Sequence, residues 1–430
     1  MTLVCGSDVS QSRTLQISVI TAASIATRCF PGAVRILLDD ALFNSSEPLP
    51  PLTRDSFANT LAEIVGPQSL ASLDNSKVEG QVLVFGNAEP PRGALRITFD
   101  GWIAQVGPAT SADRLPERTG CSLSGVLAGA LSVSELFQAF AALNVEAMRR
   151  IVGLSLWRPD LRHEDPEAQG PPLQFLPEKL WLLGLGHLGN AYIWTLASLP
   201  YERTDTCEIY LNDFDRVETK NVDTGLLFRL GDEGSFKTRV CAAWLEARKF
   251  RTRLIERPLR SDFRRHSGHE PEPPLAFCGF DWNPARRLLS DAGFSRVMDS
   301  GLGGTMHNFE TINFHSLPNR RTAEELWPDA SEEESAELER IADEHPVYSQ
   351  LAKDPCGRAE LAGKSVAVPF VGVAAATMVV AETLRLLHGG PAYTDIKLSL
   401  TNPANRSAIR KGDYAPADAA GISYCRAHPN

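Results

Sequence analysis

The stretch LWLLGLGHLGNAYIWTLASLP, Leu180 to Pro200, sets Gly184, Gly186 and Gly189 between an apolar run and a helical pattern. A strand that turns through GxGxxG into a helix offers unpaired backbone N–H groups and the positive end of the helix dipole to a phosphate. The glycines leave two owners for that phosphate. One is the pyrophosphate of NAD in a dehydrogenase, the other is ATP in an adenylating enzyme. The residues downstream must separate them.

The unit around this turn starts near Leu173 with a strand, KLWLLG, and its helix runs to about Leu199. A second strand, CEIYLNDFD (207–215), ends in an acid-tipped loop. Strand, glycine turn, helix, strand predicts an α/β fold with a doubly wound, mostly parallel sheet. Further strands are expected at LAFCGFD (275–281) and FSRVMDSG (294–301), with the alternating ETINFHS as an antiparallel addition.

The N-terminal half repeats fragments of this pattern. VRILLDD (34–40) matches CEIYLND (207–213), RITFDGW (96–102) matches RVMDSGL (296–302), and GVLAGALSVSEL (125–136) matches GVAAATMVVAET (372–383). No second GxGxxG accompanies them, and its counterpart is read at ISVITAASIATR (17–28). The expectation is a degenerate copy of the same fold over residues 1–158 and a polar linker over 159–172. The nucleotide-binding unit would then cover 173–412, and a tail 413–430. The acidic run 330–345 reads as a solvated helix face.

With 430 residues, 43% apolar and 22% charged, the chain can bury a sizeable core. Its formal charge of −10 comes without a long basic run, which argues against nucleic acid as a partner. No apolar run of membrane-spanning length and no signal sequence is read, so no membrane is expected and the cytoplasm is the expected location. The eight cysteines form no CxxC pair, which argues against a disulfide framework or a structural zinc site. His307, His315 and His345 show no ligand spacing.

Residues 212–247, NDFDRVETKNVDTGLLFRLGDEGSFKTRVCAAWLEA, divide the two nucleotide readings. Asp213 stands 24 positions past Gly189, where either kind of enzyme could hold ribose hydroxyls. Asp215, Asn221 and Lys237 follow in quick succession. Hydride transfer has no need of a lysine and carboxylates beside the phosphates. Adenylation does, because pyrophosphate leaves with its charge neutralised by a cation and a metal. Asp281, at the tip of a later strand in CGFDWNPARR, could bind that metal.

GLGHLG, DFDRVETKN, GSFK and FDWNPAR follow in order and spacing the motifs of the ThiF-type, E1-like activating enzymes, which the chain resembles from about Leu173 to Gly389. That resemblance implies a Rossmann-like adenylation fold that uses ATP and Mg2+ on the C-terminal glycine of a ubiquitin-like protein. It implies that Asp213 holds the ATP ribose and that the glycine loop, with His187, packs against the adenosine. Asn221 and Lys237 would face the phosphates, Asp281 would hold magnesium, and Asp215 occupies the family's second acidic position.

The chain departs from the family at Thr224 and Gly225, where an Arg-Gln pair normally follows the Asn. Relatives borrow an arginine from the partner half. Arg13 and Arg28 are the candidates, with Arg13 favoured by its place before the expected first strand. Cys356, between Pro355 and Gly357, occupies the place of the cysteine that captures the activated glycine as a thioester, with Cys425 as its competitor.

The resemblance thus implies transfer from Cys356 to an E2-like carrier, in one chain that is either a homodimer or a pseudo-dimeric monomer. It points to the E1 components of bacterial ubiquitin-like operons, antiviral ones included. The rivals are a sulfur-carrier adenylyltransferase, an NAD-binding oxidoreductase, and a catalytically weak scaffold that binds a ubiquitin-like protein.

Overall fold

The computed structural model describes residues 1–43, 49, 51–53, 55–74, 78–303, 308–329 and 367–428. The first half starts at once with a strand. β1 (Thr2–Cys5) is buried throughout and lies between β2 (Arg35–Leu38) and β4 (Val82–Phe85), parallel to both. β3 (Leu70–Ser72) flanks β2, and β5 (Leu95–Asp100) flanks β4. β6 (Ile103–Pro108) and β7 (Val152–Ser155) continue the sheet antiparallel.

After β8 (Phe175–Pro177) comes the central strand of the second half, β9 (Lys179–Leu183). Leu180 and Leu182 enter one apolar cluster while Trp181 and Leu183 enter another, so both faces are covered as a central parallel strand requires. β10 (Glu208–Asn212) and β11 (Arg251–Ile255) lie on one side, and β12 (Leu275–Cys278) and β13 (Arg296–Leu302) on the other, all parallel. β14 (Thr311–Leu317), β15 (Pro391–Ser399) and β16 (Ser407–Asp413) add an antiparallel edge.

The strand orders are β3-β2-β1-β4-β5-β6-β7 and β11-β10-β9-β12-β13-β14-β15-β16. Strand by strand they are the same order, with one extra strand at the end of the second. The N-terminal copy expected from three short sequence matches is therefore present as a complete sheet.

Helices α1 (Arg13–Cys29), α2 (Asp40–Phe43), α3 (Phe57–Val65) and α4 (Leu123–Phe140) belong to the first half. The second carries α5 (His187–Ala197), α6 (Thr219–Thr224), α7 (Lys237–Glu246), α8 (Asn283–Arg287), α9 (Ala323–Leu326) and α10 (Pro369–Leu387). α4 and α10, of 18 and 19 residues, are apolar enough to cross a membrane by length and composition, which corrects the reading that no run reaches that length. They are apolar all round because they pack against each other at the centre of the molecule. One apolar cluster runs from Leu3 and Ile36 through α4 and α10 to Leu182 and Leu398, so the two halves share a core.

Small residues set the helix contacts. A Cβ on Gly125 of α4 would stand 2.4 Å from the Thr14 carbonyl oxygen at the start of α1. A Cβ on Gly372 of α10 would stand 2.3 Å from His187 Nε2 at the start of α5. The matched glycines thus make matched contacts, and Thr14 corresponds in place to His187. This corrects the expected counterpart of the glycine loop. ISVITAASIATR lies inside α1, and the turn after β1 is Gly6–Ser12, which contains a short 3-10 helix. Arg13 accordingly opens α1 rather than preceding the first strand.

The segment 159–172 is bonded to both halves. Trp102 Nε1 donates to the Pro171 carbonyl at 2.8 Å, and the Tyr393 hydroxyl bonds Asp160. Past β16, β17 (Tyr424–Arg426) pairs antiparallel with β8.

Candidate nucleotide site

The chain leaves β9 toward β10 and β11, then returns to β12 on the other side. The crevice between the carboxyl ends of β9 and β12 is thus the switch point, where α/β sheets bind ligands. Gly184 turns there at φ +83, and a Cβ on it would meet the Gly279 backbone at 3.0 Å. A Cβ on Gly189 would stand 2.2 Å from the Gly184 carbonyl oxygen, so that glycine lets α5 close onto its own turn. Gly186 faces nothing within 4 Å, an opening at the head of α5 where a phosphate can approach the first-turn N–H groups. Asn190 fixes the turn from inside, donating to the Leu185 and Gly186 carbonyls at 2.9 and 3.0 Å and accepting from Leu227 N at 3.0 Å.

Asp213, at the carboxyl end of β10, accepts from Leu185 N at 2.7 Å and from Asp215 N at 2.8 Å. Burial raises its pKa above the ordinary carboxylate range, with Lys237 pulling the other way. Lys237 opens α7 with its side chain almost buried, and its Nζ meets Asp215 Oδ2 at 3.0 Å. Its backbone N–H also bonds the Asp215 carbonyl at 3.0 Å. Asn221, on α6, caps that short helix by accepting from Glu218 N at 2.9 Å. Asp281 follows β12 and is solvent-exposed. Gly184, Gly186, Asp213, Asp215 and Asp281 therefore sit on turns at the same end of three adjacent strands, with Gly189 in the first turn of α5 and Lys237 at the start of α7.

His187 is turned inward. Its Nδ1 bonds the Thr224 carbonyl at 2.8 Å, and burial lowers its pKa, so the ring packs between α6 and α10 as a neutral group. The position where the family normally carries an arginine is thereby occupied by the end of α6.

The structure separates the two candidate arginines. Arg13 bonds the Leu199 carbonyl at 3.3 Å, beyond the far end of α5. Arg28, at the other end of α1, donates through Nε to the Gly225 carbonyl at 3.0 Å and through Nη2 to the Leu226 carbonyl at 2.8 Å. Trp194 Nε1 bonds Thr21 between them, so α1 runs antiparallel to α5. At 1.5 Å per residue the two arginines are roughly 20 Å apart along α1. Arg13 belongs to the end away from the glycine turn, which corrects the preference for it, and Arg28 stands beside α6.

Cys356, His307 and His345 lie outside the described residues. Cys425 lies on β17 against Leu176, just before the start of β9, at the opposite end of the sheet from the glycine turn. Cys5, Cys121, Cys207, Cys241 and Cys278 are buried, and Cys29 is largely so.

Register makes a cluster that spacing did not show. Asp299, His315 and Asp395 are direct cross-strand partners on β13, β14 and β15. Burial opposes charge on Asp299, yet Arg286 and His315 hold its carboxyl below the ordinary range. Arg286 Nε also donates to the Phe280 carbonyl at 2.8 Å, bracing the turn that carries Asp281. Trp282 and Phe214 are exposed aromatics next to Asp281 and Asp213. An aromatic adjoining each motif carboxylate is the signal that could have found them.

A magnesium ion fits what is present. No cluster of three metal-ligating side chains occurs among the described residues, and magnesium asks for one or two carboxylates plus the phosphates it accompanies. Asp281, exposed after β12, carries hard oxygen atoms of that kind.

Residues 176–390 match the BilD C-terminal domain family, and residues 1–156 match the BilD N-terminal domain family. The chain is 35% identical over 437 residues to the bacterial E1-like protein BilD of Collimonas sp. (strain OK412), covering all of this chain and 90% of that protein. The chain belongs to the BilD family of bacterial E1-like proteins. This chain thus joins two sheets of one order. Among solved structures, E. coli MccB with MccA-N7isoASN is 15% identical, at a TM-score of 0.36, over 56% of this chain and 65% of MccB. MccB with ATP stands at 15% and a TM-score of 0.35, over the same shares.

Proposed function

We propose that this protein uses ATP and Mg2+ to adenylate the C-terminal carboxylate of a ubiquitin-like protein. The observation that carries the reading is Lys237, held at 3.0 Å by Asp215 beside a glycine turn that Asp213 pins at 2.7 Å. A lysine stored on a carboxylate beside open helix-terminal N–H groups is a cation ready to move onto phosphate. Asp213 holds the ribose, and Asn221 and Lys237 line the phosphates. Asp281 holds the magnesium, which supplies charge neutralisation for the departing pyrophosphate. Arg28 takes the place of the arginine missing at Thr224. The N-terminal copy thus gives the site a residue that simpler relatives take from a second subunit.

In the first step an oxygen of the substrate carboxylate attacks the α-phosphorus, and the bond to the bridging oxygen breaks as pyrophosphate leaves. In the second, the Cys356 thiolate attacks the acyl carbon and AMP leaves, forming a thioester that passes to an E2-like carrier. None of the described cysteines offers an exposed thiol near the glycine turn, which supports Cys356. The reaction belongs in the cytoplasm, where ATP is supplied.

ATP–pyrophosphate exchange with candidate ubiquitin-like proteins tests the reading. Lys237→Ala and Asp281→Ala are expected to lower exchange by at least about a hundredfold, while Cys356→Ala retains it and loses the thioester band on a non-reducing gel. ATP binding without exchange would overturn the enzyme in favour of a scaffold. A thioester that survives Cys356→Ala would overturn the second step alone.

A further inference from the structure

Beside the nucleotide site, on the outer side of α7, lies a cavity of about 580 Å3. Its floor is apolar: Leu227, Val240, Ala243 and Trp244. Arg216, Arg229 and Arg239 stand over it, against Asp232 as its one lining acid. Arg239 is already paired through both nitrogens with Glu256, so Arg216 and Arg229 against Asp232 leave a locally positive rim in a chain whose formal charge is −10. The cations are held in place. Arg216 lies 3.9 Å over the Phe236 ring and donates to the Gly234 carbonyl at 2.7 Å, and Arg239 lies 4.9 Å over the same ring. Burial and then the charge of Arg229 push the pKa of the largely buried Arg28 down to about 10, with Asp223 pulling the other way.

We propose that this cavity docks a protein partner through a short acidic segment carrying one apolar side chain. The volume suits an anchor side chain with its flanking backbone. The guanidinium groups suit carboxylates, which they bind in a fixed fork. A nucleotide fits less well, because Phe236 and Trp244 already carry guanidinium groups, the latter from Arg248 at 3.4 Å. An extended nucleic acid would meet the net negative charge of the rest of the surface.

The place of the cavity gives docking a consequence. Arg216 directly follows Asp215, and Phe236 directly precedes Lys237. The excursion between them is closed at its neck by an Arg216–Phe236 bridge and by Val217 N to the Ser235 carbonyl at 2.8 Å. The outer side of that neck is the cavity, and its inner side holds the Lys237–Asp215 pair. A partner seated here would bear on the backbone that holds the Lys237–Asp215 pair.

Fluorescence anisotropy tests this on the full chain without ATP, so the outcome does not depend on adenylation. The probe is a labelled peptide with one Leu flanked by Glu and Asp. It is expected to bind saturably, and Arg216→Ala with Arg229→Glu should weaken binding at least about tenfold. Arg229→Ala, a milder change at an exposed residue, should weaken it by about threefold with the melting temperature unchanged. A peptide with Lys for the acids, or with Gln for the Leu, should not bind. Equal affinity of the wild-type and doubly substituted proteins would overturn the proposal. So would competition by ATP alone or by a single-stranded oligonucleotide alone.

Discussion

Lys237 shows how a residue commonplace in isolation becomes a site through what surrounds it. Its stem is buried against α7, its ammonium is fixed on Asp215, and both stand beside a turn pinned by Asp213. The glycine turn, Asp213 and Asp281 are legible in the sequence because each follows a strand that a βαβ pattern aligns, whereas Lys237 opens α7 beyond α6. Which arginine joins them was not legible. That depends on α1 lying antiparallel to α5, a non-local fact set by packing across the two halves. The choice is testable at this scale. Removing a cation that acts on developing charge costs roughly a hundredfold in rate or more. Arg28→Ala should therefore slow pyrophosphate exchange about a hundredfold, with partial recovery in Arg28→Lys. Arg13→Ala should stay within about threefold. The reverse order in exchange kinetics would return Arg13 to the site.

At the scale of elements, the glycine turn is two different devices in one motif. Gly189 is constrained by structure, since a methyl there would enter the Gly184 carbonyl. Gly186 is free of any neighbour and is constrained only by what binds. Gly189→Ala should cost about 2 kcal/mol of stability by overpacking against backbone, seen as a lower melting temperature without ligand. Gly186→Ala should leave the ligand-free melting temperature nearly unchanged and weaken ATP binding in a titration. Equal melting behaviour of the two variants would refute this division. The sequence revealed β9, β10, β12 and β13 because each is an apolar run ending in a turn signal. It hid β1 because a strand of four residues at the chain start, followed by a turn without the glycine pattern, gives periodicity little to work on. It hid the Asp299–His315–Asp395 row because only cross-strand register brings those positions together.

At the scale of the molecule, the halves are joined by burial and not by the linker alone. α4 and α10 form the middle of one core, and polar groups seal its rim. Gln138 of α4 donates to the Leu400 carbonyl at 3.1 Å, and Arg150 joins Glu135 to the Thr401 carbonyl. On that rim Glu310 bonds the Thr401 hydroxyl through one oxygen while the other has no partner. Burial pushes its pKa up to about 7, and the nearby Glu135 adds to the shift. Unfolded, the same group titrates near 4.3. Between those values the folded state holds a proton that the unfolded state has lost, so stability falls as pH rises from about 4.3 to about 7 and is level above it. At 1.36 kcal/mol per unit the loss is on the order of 3 kcal/mol. Glu310→Gln keeps the hydrogen bond to Thr401 and removes the charge. Unfolding free energies from urea titrations at about pH 5 and pH 7.5 should therefore converge in the variant by about that amount relative to wild type. Because the rim joins both halves, the shift should appear in a single cooperative transition. A wild-type midpoint that rises with pH as steeply as the variant's would overturn the assignment, and two separate transitions would overturn the shared core.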